Sequence, residues 1–237
     1  MGKWSFSKIV FLLIAGLIAC SRLPESNEPP TQPVIPVFEV FGYARCANCP
    51  VVEHALDSLK ENYGDSIVVL EYHMRILGDT LSPKTIEERE SIYGIGTAAP
   101  ITIVHGEVIL QGSEGINTEL FRNYYNSIRH KEDSVLLNIS MATDADSFKF
   151  TVSAEGELDP GAKKLYAFVT QDSIVFKQVG APDTIFNNVV RFLSSMPPEF
   201  PVRVNISKTV FNHGIFVALV QDTLSKKILS VAQRRFW

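Results

Sequence analysis

The sequence predicts an α/β domain followed by an all-β sandwich. Three observations carry that prediction. Between residues 37 and 131, short apolar runs rich in Val, Ile and Phe alternate with segments of helical periodicity. After residue 131 the helical period stops, and seven or eight short alternating runs follow, separated by Gly, Pro and Asp. That second pattern suggests an antiparallel, immunoglobulin-like sandwich. The division expected is a leader over 1–19, a Pro-rich linker over 20–36, an α/β domain over 37–131 and a β-sandwich over 132–237.

The elements can be justified in order. PVFEVFGY reads as a buried strand. Pro50 to Tyr63 reads as a helix, since Val51, Val52, Ala55, Leu56 and Leu59 recur at helical spacing and Gly64 ends it. SIVVLEYH, residues 66–73, is a strand. Ser82-Pro83 opens a second helix, with Glu87 and Glu88 in its early turns, ending near Tyr93-Gly94. ITIVHGEVILQG reads as two strands around His105-Gly106. Asn117 to His130 is a last helix, with Leu120, Tyr124 and Ile128 on one stripe. The first part needs a parallel crossover, and the hairpin adds antiparallel strands. Beyond it, the runs start at Val135, Phe148, Leu165, Ile185, Phe200, Ile215 and Ile228.

The N-terminus sets the compartment. Lys3 and Lys8 precede an eleven-residue apolar run, Ile9 to Ala19. That run is short of the roughly 20 residues a membrane span needs and suits a signal-peptide core. Leu17-Ile18-Ala19-Cys20 resembles the bacterial lipobox. The resemblance implies attachment of diacylglycerol to the Cys20 thiol, cleavage before Cys20 and acylation of the new N-terminus, with palmitate-type chains holding the mature protein on a membrane. Ser21 follows, with no aspartate, a pattern similar to outer-membrane sorting. The implied place is the cell envelope. Residues 21–36 hold five prolines and read as a semi-rigid spacer. Net charge is −4 and no basic run occurs, which disfavours nucleic-acid binding.

The remaining two cysteines stand in YARCANCP, residues 43–50. Cys46 lies just past the first strand, at the start of a helix, where backbone amides and the helix dipole stabilise a thiolate. Arg45 beside it adds positive potential. Cys49 follows one turn later on the same face. Three readings stay open. A metal pair needs further ligands, and the five histidines are scattered at 54, 73, 105, 130 and 213, so no metal site is expected. A structural disulfide suits an oxidising compartment. Redox exchange suits the helix N-terminus, with Cys46 attacking and Cys49 resolving.

The strand–CxxC–helix junction and the stretch YGIGTAAPITIVHGEVILQGSEG, residues 93–115, together resemble the thioredoxin superfamily over roughly residues 37–130. The resemblance implies that Pro100 takes the position of that family's cis-proline, facing the CxxC and shaping the substrate groove. Where the family has Trp-Cys-Gly-Pro-Cys, this chain has Arg45-Cys46-Ala47-Asn48-Cys49. The family's buried aspartate position holds Val40, and the adjacent Glu39 is the candidate acid. The whole arrangement, with IFNNVVR in the second half, is similar to a family of Bacteroidota outer-membrane lipoproteins. Seven Asp-Ser/Thr-aliphatic triplets, Asp57-Ser58-Leu59 among them, resemble the O-glycosylation signal of that phylum, though they also read as turns entering strands.

The expectation is therefore a membrane-anchored thiol–disulfide oxidoreductase acting on cysteines of exported proteins. Cys46, Cys49 and Pro100 form its site, with Arg45 and Glu39 in support. No organic cofactor is implied, and the partners are the membrane, through Cys20, and a redox partner or substrate protein. The alternative is a non-enzymatic surface lipoprotein, an adhesion or assembly module in which the CxxC disulfide is structural. A Cu(I) carrier is a weaker third, since soft thiolates suit copper but no third ligand is near.

Overall fold

The computed structural model describes residues 32–133, 135–159 and 161–237. The leader over 1–19, Cys20 and most of the Pro-rich linker lie outside the described residues. In chain order the first elements are β1 (Gln32–Pro33), β2 (Val37–Gly42), α1 (Cys49–Tyr63), β3 (Val68–His73), α2 (Glu87–Tyr93), β4 (Ile101–Val104), β5 (Val108–Gln111), α3 (Thr118–Arg129) and β6 (Glu132–Asp133). Then come β7 (Leu136–Thr143), β8 (Ser147–Glu155), β9 (Lys163–Gln171), β10 (Ile174–Val175), β11 (Ile185–Phe186), β12 (Val189–Met196), β13 (Val202–Ser207), β14 (Gly214–Asp222) and β15 (Ile228–Phe236).

Local chemistry explains most boundaries. β2 and β3 are buried along their whole length, as their Val and Phe content requires. Pro50 sits in the first turn of α1, where its missing N–H costs no helical bond. Asn117 caps α3, its side-chain oxygen accepting from the Leu120 N–H at 2.8 Å. The buried stripe of α3 is Phe121, Tyr125 and Ile128, one residue on from the expected stripe except at Ile128. A 3-10 turn, Lys84–Ile86, leads into α2, so that helix proper starts later than Ser82-Pro83 suggests.

The fold class departs from expectation. The chain does not form a thioredoxin-like α/β domain followed by a separate immunoglobulin-like sandwich. One eight-stranded mixed sheet, in the order β15-β14-β9-β12-β3-β2-β4-β5, runs through both halves. The seam is β12 against β3, parallel, with Val189 opposite Glu71 and the Glu71 N–H donating to the Asn188 carbonyl at 2.9 Å. The physical reason is an edge. β3 is buried throughout, and left at the margin of a four-stranded unit it would present an unpaired row of donors and acceptors. β12 covers it and passes the sheet on to β9, β14 and β15.

Three cores follow. On one face of the first half, α1 and α3 bury Phe38, Val40, Leu56, Leu59 and Phe121. On the same sheet farther along, the three-stranded sheet β13-β8-β7 closes over β9, β14 and β15 around Phe150, Phe216 and Phe236. The third core crosses the seam, joining Phe41, Leu70 and Tyr72 to Tyr166, Phe168, Val217 and Leu219. Each such side chain contributes about 1.5–3 kcal/mol relative to leaving it exposed. Val34 is also buried in the core beneath α1 and α3, and β1 pairs with β6, so residues 32–36 are part of the folded body.

A polar network sits inside the shared core. Arg89 of α2 and Glu39 of β2 are both fully buried and form a two-pronged ion pair, Nη2 to Oε1 at 2.7 Å and Nε to Oε2 at 3.0 Å. Tyr72 and Tyr93 donate their hydroxyls to the same carboxylate at 2.7 and 2.6 Å. Gln221 of β14 accepts from Arg89 and donates to the Tyr93 oxygen. The guanidinium carbon also lies 4.4 Å from the centre of the Tyr166 ring. Arg89, Glu39, Tyr72, Tyr93 and Gln221 all find hydrogen-bond partners, which is the condition for such a network to be tolerated in a core, while the Tyr166 hydroxyl has none.

Candidate functional site

β2 ends at Gly42, and the chain turns through Tyr43–Asn48 before α1 begins at Cys49. The Cys46 N–H donates to the Tyr43 carbonyl at 2.9 Å, which holds the turn. Cys46 and Cys49 are joined by a disulfide, with Cα atoms 5.4 Å apart. The Cys49 N–H, at the helix start, points at Cys46 Sγ from 3.1 Å. Both cysteines are buried, 3% and 1% exposed, while Ala47 and Asn48 between them face solvent. Gly42 makes the close approach possible: a Cβ there would stand 3.1 Å from Cys49 Sγ and 3.5 Å from Glu53 Oε1.

Arg45 is exposed and lies against Gly180, where a Cβ would meet its Nε at 3.5 Å. Glu39 serves Arg89 on the face of the sheet opposite α1. Pro100 is buried ahead of β4 after a cis Ala99–Pro100 bond, and its carbonyl accepts from the Gly112 N–H at 2.8 Å.

The carboxyl ends of β2 and β3 hold a second set of groups. His73 is clamped by two carboxylates, Nδ1 to Asp79 and Nε2 to Glu71, each at 2.8 Å. Burial alone would push the imidazole down, but the two hydrogen bonds and charges outweigh it and raise His73 to about 10. Burial likewise presses Asp79 upward, yet His73 and the Leu81 and Ala44 amides hold it below its ordinary value. The Ala44 N–H bond to Asp79, 2.7 Å, ties the cysteine turn to this cluster. Burial raises Glu71 despite His73, and burial and then Glu71 raise Glu53.

Glu53 and Glu71 line a cavity of about 330 Å³ with His54, Asp57 and Asp183, and Asp79 stands behind it, reaching it through His73. Its far wall is the 172–188 segment of the second half. Asn187 and Asn188 donate to the two oxygens of Asp57 on α1 at 2.8 and 3.0 Å, and Asp183 contacts His54 Nε2 at 3.2 Å. Phe186 and Val189 share a small core with Ala44 and Leu81. Ile185 of the lining is exposed, and Val175 and Val179 of the same 172–188 segment are exposed as well, as are Val51, two residues after Cys49, and Leu77. Among the described residues no group of three His, Cys, Asp or Glu has an arrangement that could hold a metal ion. No described helix is long and apolar enough to cross a membrane.

Sequence reasoning missed Glu53, Glu71, Asp79 and Asp183, and counted His73 only as one of five scattered histidines. One signal was there: Glu71 and His73, two apart in a strand, must share a face. Several Asp-Ser/Thr-aliphatic triplets turn out to be structural aspartates. Asp79 holds His73, Asp172 accepts from the Asn188 N–H, and Asp222 accepts from the Leu224 and Ser225 N–H groups.

No protein-family model matches the chain, and a search of curated proteins gives no significant match. Two solved structures are similar in fold. HBP35 of Porphyromonas gingivalis superposes with a TM-score of 0.61 at 16% identity, over 86% of this chain and 76% of that one. Protein AGR_C_4864 from Agrobacterium tumefaciens gives 0.58 at 17% identity, over 86% of this chain and 95% of that one.

Proposed function

We propose that this chain is a non-enzymatic cell-envelope protein that docks a partner protein at the carboxyl ends of β2 and β3, with Cys46–Cys49 as a structural cross-link. The single observation that carries the reading is the burial of both cysteines, which leaves a substrate thiol no open sulfur to meet. The disulfide pins the turn that borders the acidic cavity. Ile185 of its lining is exposed, with Val175 and Val179 exposed on the same segment, apolar surface of the kind that marks interaction sites. An extended segment carrying Lys or Arg flanked by apolar residues matches that surface and the carboxylates of the cavity. Anchoring through acylated Cys20 at the outer membrane, by way of the Pro-rich segment, belongs to the same proposal and is supported by the lipobox pattern.

The test is the reduction potential of the Cys46–Cys49 pair. A value below about −300 mV, with Cys46 unreactive to alkylating agents after mild reduction, is the expected result. A value between about −120 and −270 mV would replace this reading by thiol–disulfide exchange. One observation favours that second reading: the Cys49 N–H aimed at Cys46 Sγ would stabilise a thiolate there once the pair is reduced. In it Cys46 attacks, Cys49 resolves and Pro100 borders the bound chain.

A further inference from the structure

At the opposite end of the sheet the two halves meet a second time. The β4–β5 turn, His105-Gly106, is docked onto the β14–β15 turn. A Cβ on Gly106 would come within 2.1 Å of the Lys226 carbonyl oxygen, and the Ile228 N–H donates to the His105 carbonyl at 3.4 Å. Gly106 has φ +80°, so the hairpin tip depends on glycine twice, for its backbone angle and for this contact.

Beside the joint lies a cavity of about 330 Å³. Lys131, Lys163 and Lys227 line it, against Glu157 and Asp159, so the lining is net positive. Asp159 is spoken for by Lys163 at 3.5 Å, while Lys131 and Lys227 have no ion-pair partner among the described residues. Val34, Leu158 and Leu229 give the cavity an apolar wall. His105 forms part of the lining, is 4% exposed, and its Nδ1 has no hydrogen-bond partner. A buried polar side chain without a partner, in a roomy cavity between unpaired ammonium groups, is a binding arrangement lacking its ligand.

We propose that this cavity binds an amphipathic organic anion, its carboxylate, sulfonate or phosphate group held between Lys131 and Lys227 beside the His105 imidazole, and its apolar body against Val34, Leu158 and Leu229. The volume suits a body of roughly ten non-hydrogen atoms, at the small end of ligand sites. Burial, and then the fields of Lys131 and Lys227, push His105 down to about 4, so the ring is neutral at pH 7. The other charged groups of the lining, Lys163, Glu157 and Asp159, sum to one negative charge, and Asp159 is already paired with Lys163.

The probe is 1-octanesulfonate, which keeps its charge at all working pH values, added to the full chain. The expected result is saturable binding that moves the His105 imidazole resonances, identified with a His105→Asn variant, and leaves those of His54 and His213 in place. Lys131→Gln with Lys227→Gln, both at exposed positions, should weaken it about tenfold. Octyl glucoside, with the same tail and no charge, should not bind there. Displacement by a short-chain phosphatidylglycerol assigns a lipid headgroup as the source of the anion, and failure of displacement assigns a free soluble one. Absence of saturable binding, equal binding of octyl glucoside, or unchanged affinity in the double variant overturns the proposal.

Discussion

Replacing Arg89 by Met tests how the two halves are held together. Met keeps much of the side-chain volume and removes the charge. Arg89 is fully buried and is the cationic partner of an equally buried Glu39. Removing one member of such a pair leaves an uncompensated charge and costs about 3–5 kcal/mol. Tyr72 and Tyr93 still donate to the Glu39 carboxylate at 2.7 and 2.6 Å, which places the loss toward the lower figure. Gln221 loses its donor from Arg89 but keeps its contact with Tyr93, so it adds little. For a chain of 237 residues this is a fall in Tm of roughly 6–20 °C. Urea unfolding followed by far-UV circular dichroism and by near-UV circular dichroism, which reads the buried Tyr72, Tyr93 and Tyr166, measures it. Glu39→Leu combined with Arg89→Met removes both charges, and the pair should be less damaging than the sum of the singles by at least about 2 kcal/mol. The transitions seen by the two probes should coincide, since the network ties α2 and β2 to β14. A loss under about 1 kcal/mol for Arg89→Met, strict additivity in the double variant, or two separate transitions would refute the reasoning.

Three further outcomes are expected. His73 holds its proton up to about 10 in the folded chain but only to about 6.5 unfolded, so the folded state binds more protons between those values. Its stabilisation is complete below about pH 6.5 and is lost as pH rises toward 10; a flat urea midpoint over that window, compared with a His73→Gln variant, would contradict it. Gly106→Ala should destabilise by more than the about 1 kcal/mol usual for a surface change, because its Cβ meets the Lys226 carbonyl, and thermal melting measures the loss. Cys46→Ala with Cys49→Ala should cost about 2 kcal/mol, since the loop closed by four residues is short, and the variant should stay folded by circular dichroism.

Much of the local structure was legible in the sequence, because it is written in local chemistry. Helical spacing from Val51 to Leu59, the Asn117 cap and the His105-Gly106 turn each act over a few residues. The shared sheet was not legible. The continuous apolar run in β9 or β14 says that a strand is buried on both faces, not which strand lies beside it, and the seam rests on the single pairing of Val189 with Glu71. The candidate site was half legible for the same reason. Cys46 and Cys49 declare themselves by spacing, and their burial does not. Asp79 and Asp183 reach the site from loops far apart in sequence, and nothing local marks them. Glu39 was picked out as the acid beside the position of the resembled family's buried aspartate, but its partner Arg89 comes from a helix fifty residues on.

The placement of β12 beside β3 also has a meaning for the order in which the molecule can come into being. Val189 lies 118 residues after Glu71 (189 − 71), so the middle of the sheet is completed by one of the later strands to be synthesised. Until then β3 has one neighbour, β2, and its other margin stays open to any extended chain it meets. Closing so long a loop is slow. The growing chain therefore passes through a long interval as a half-built sheet with one open margin.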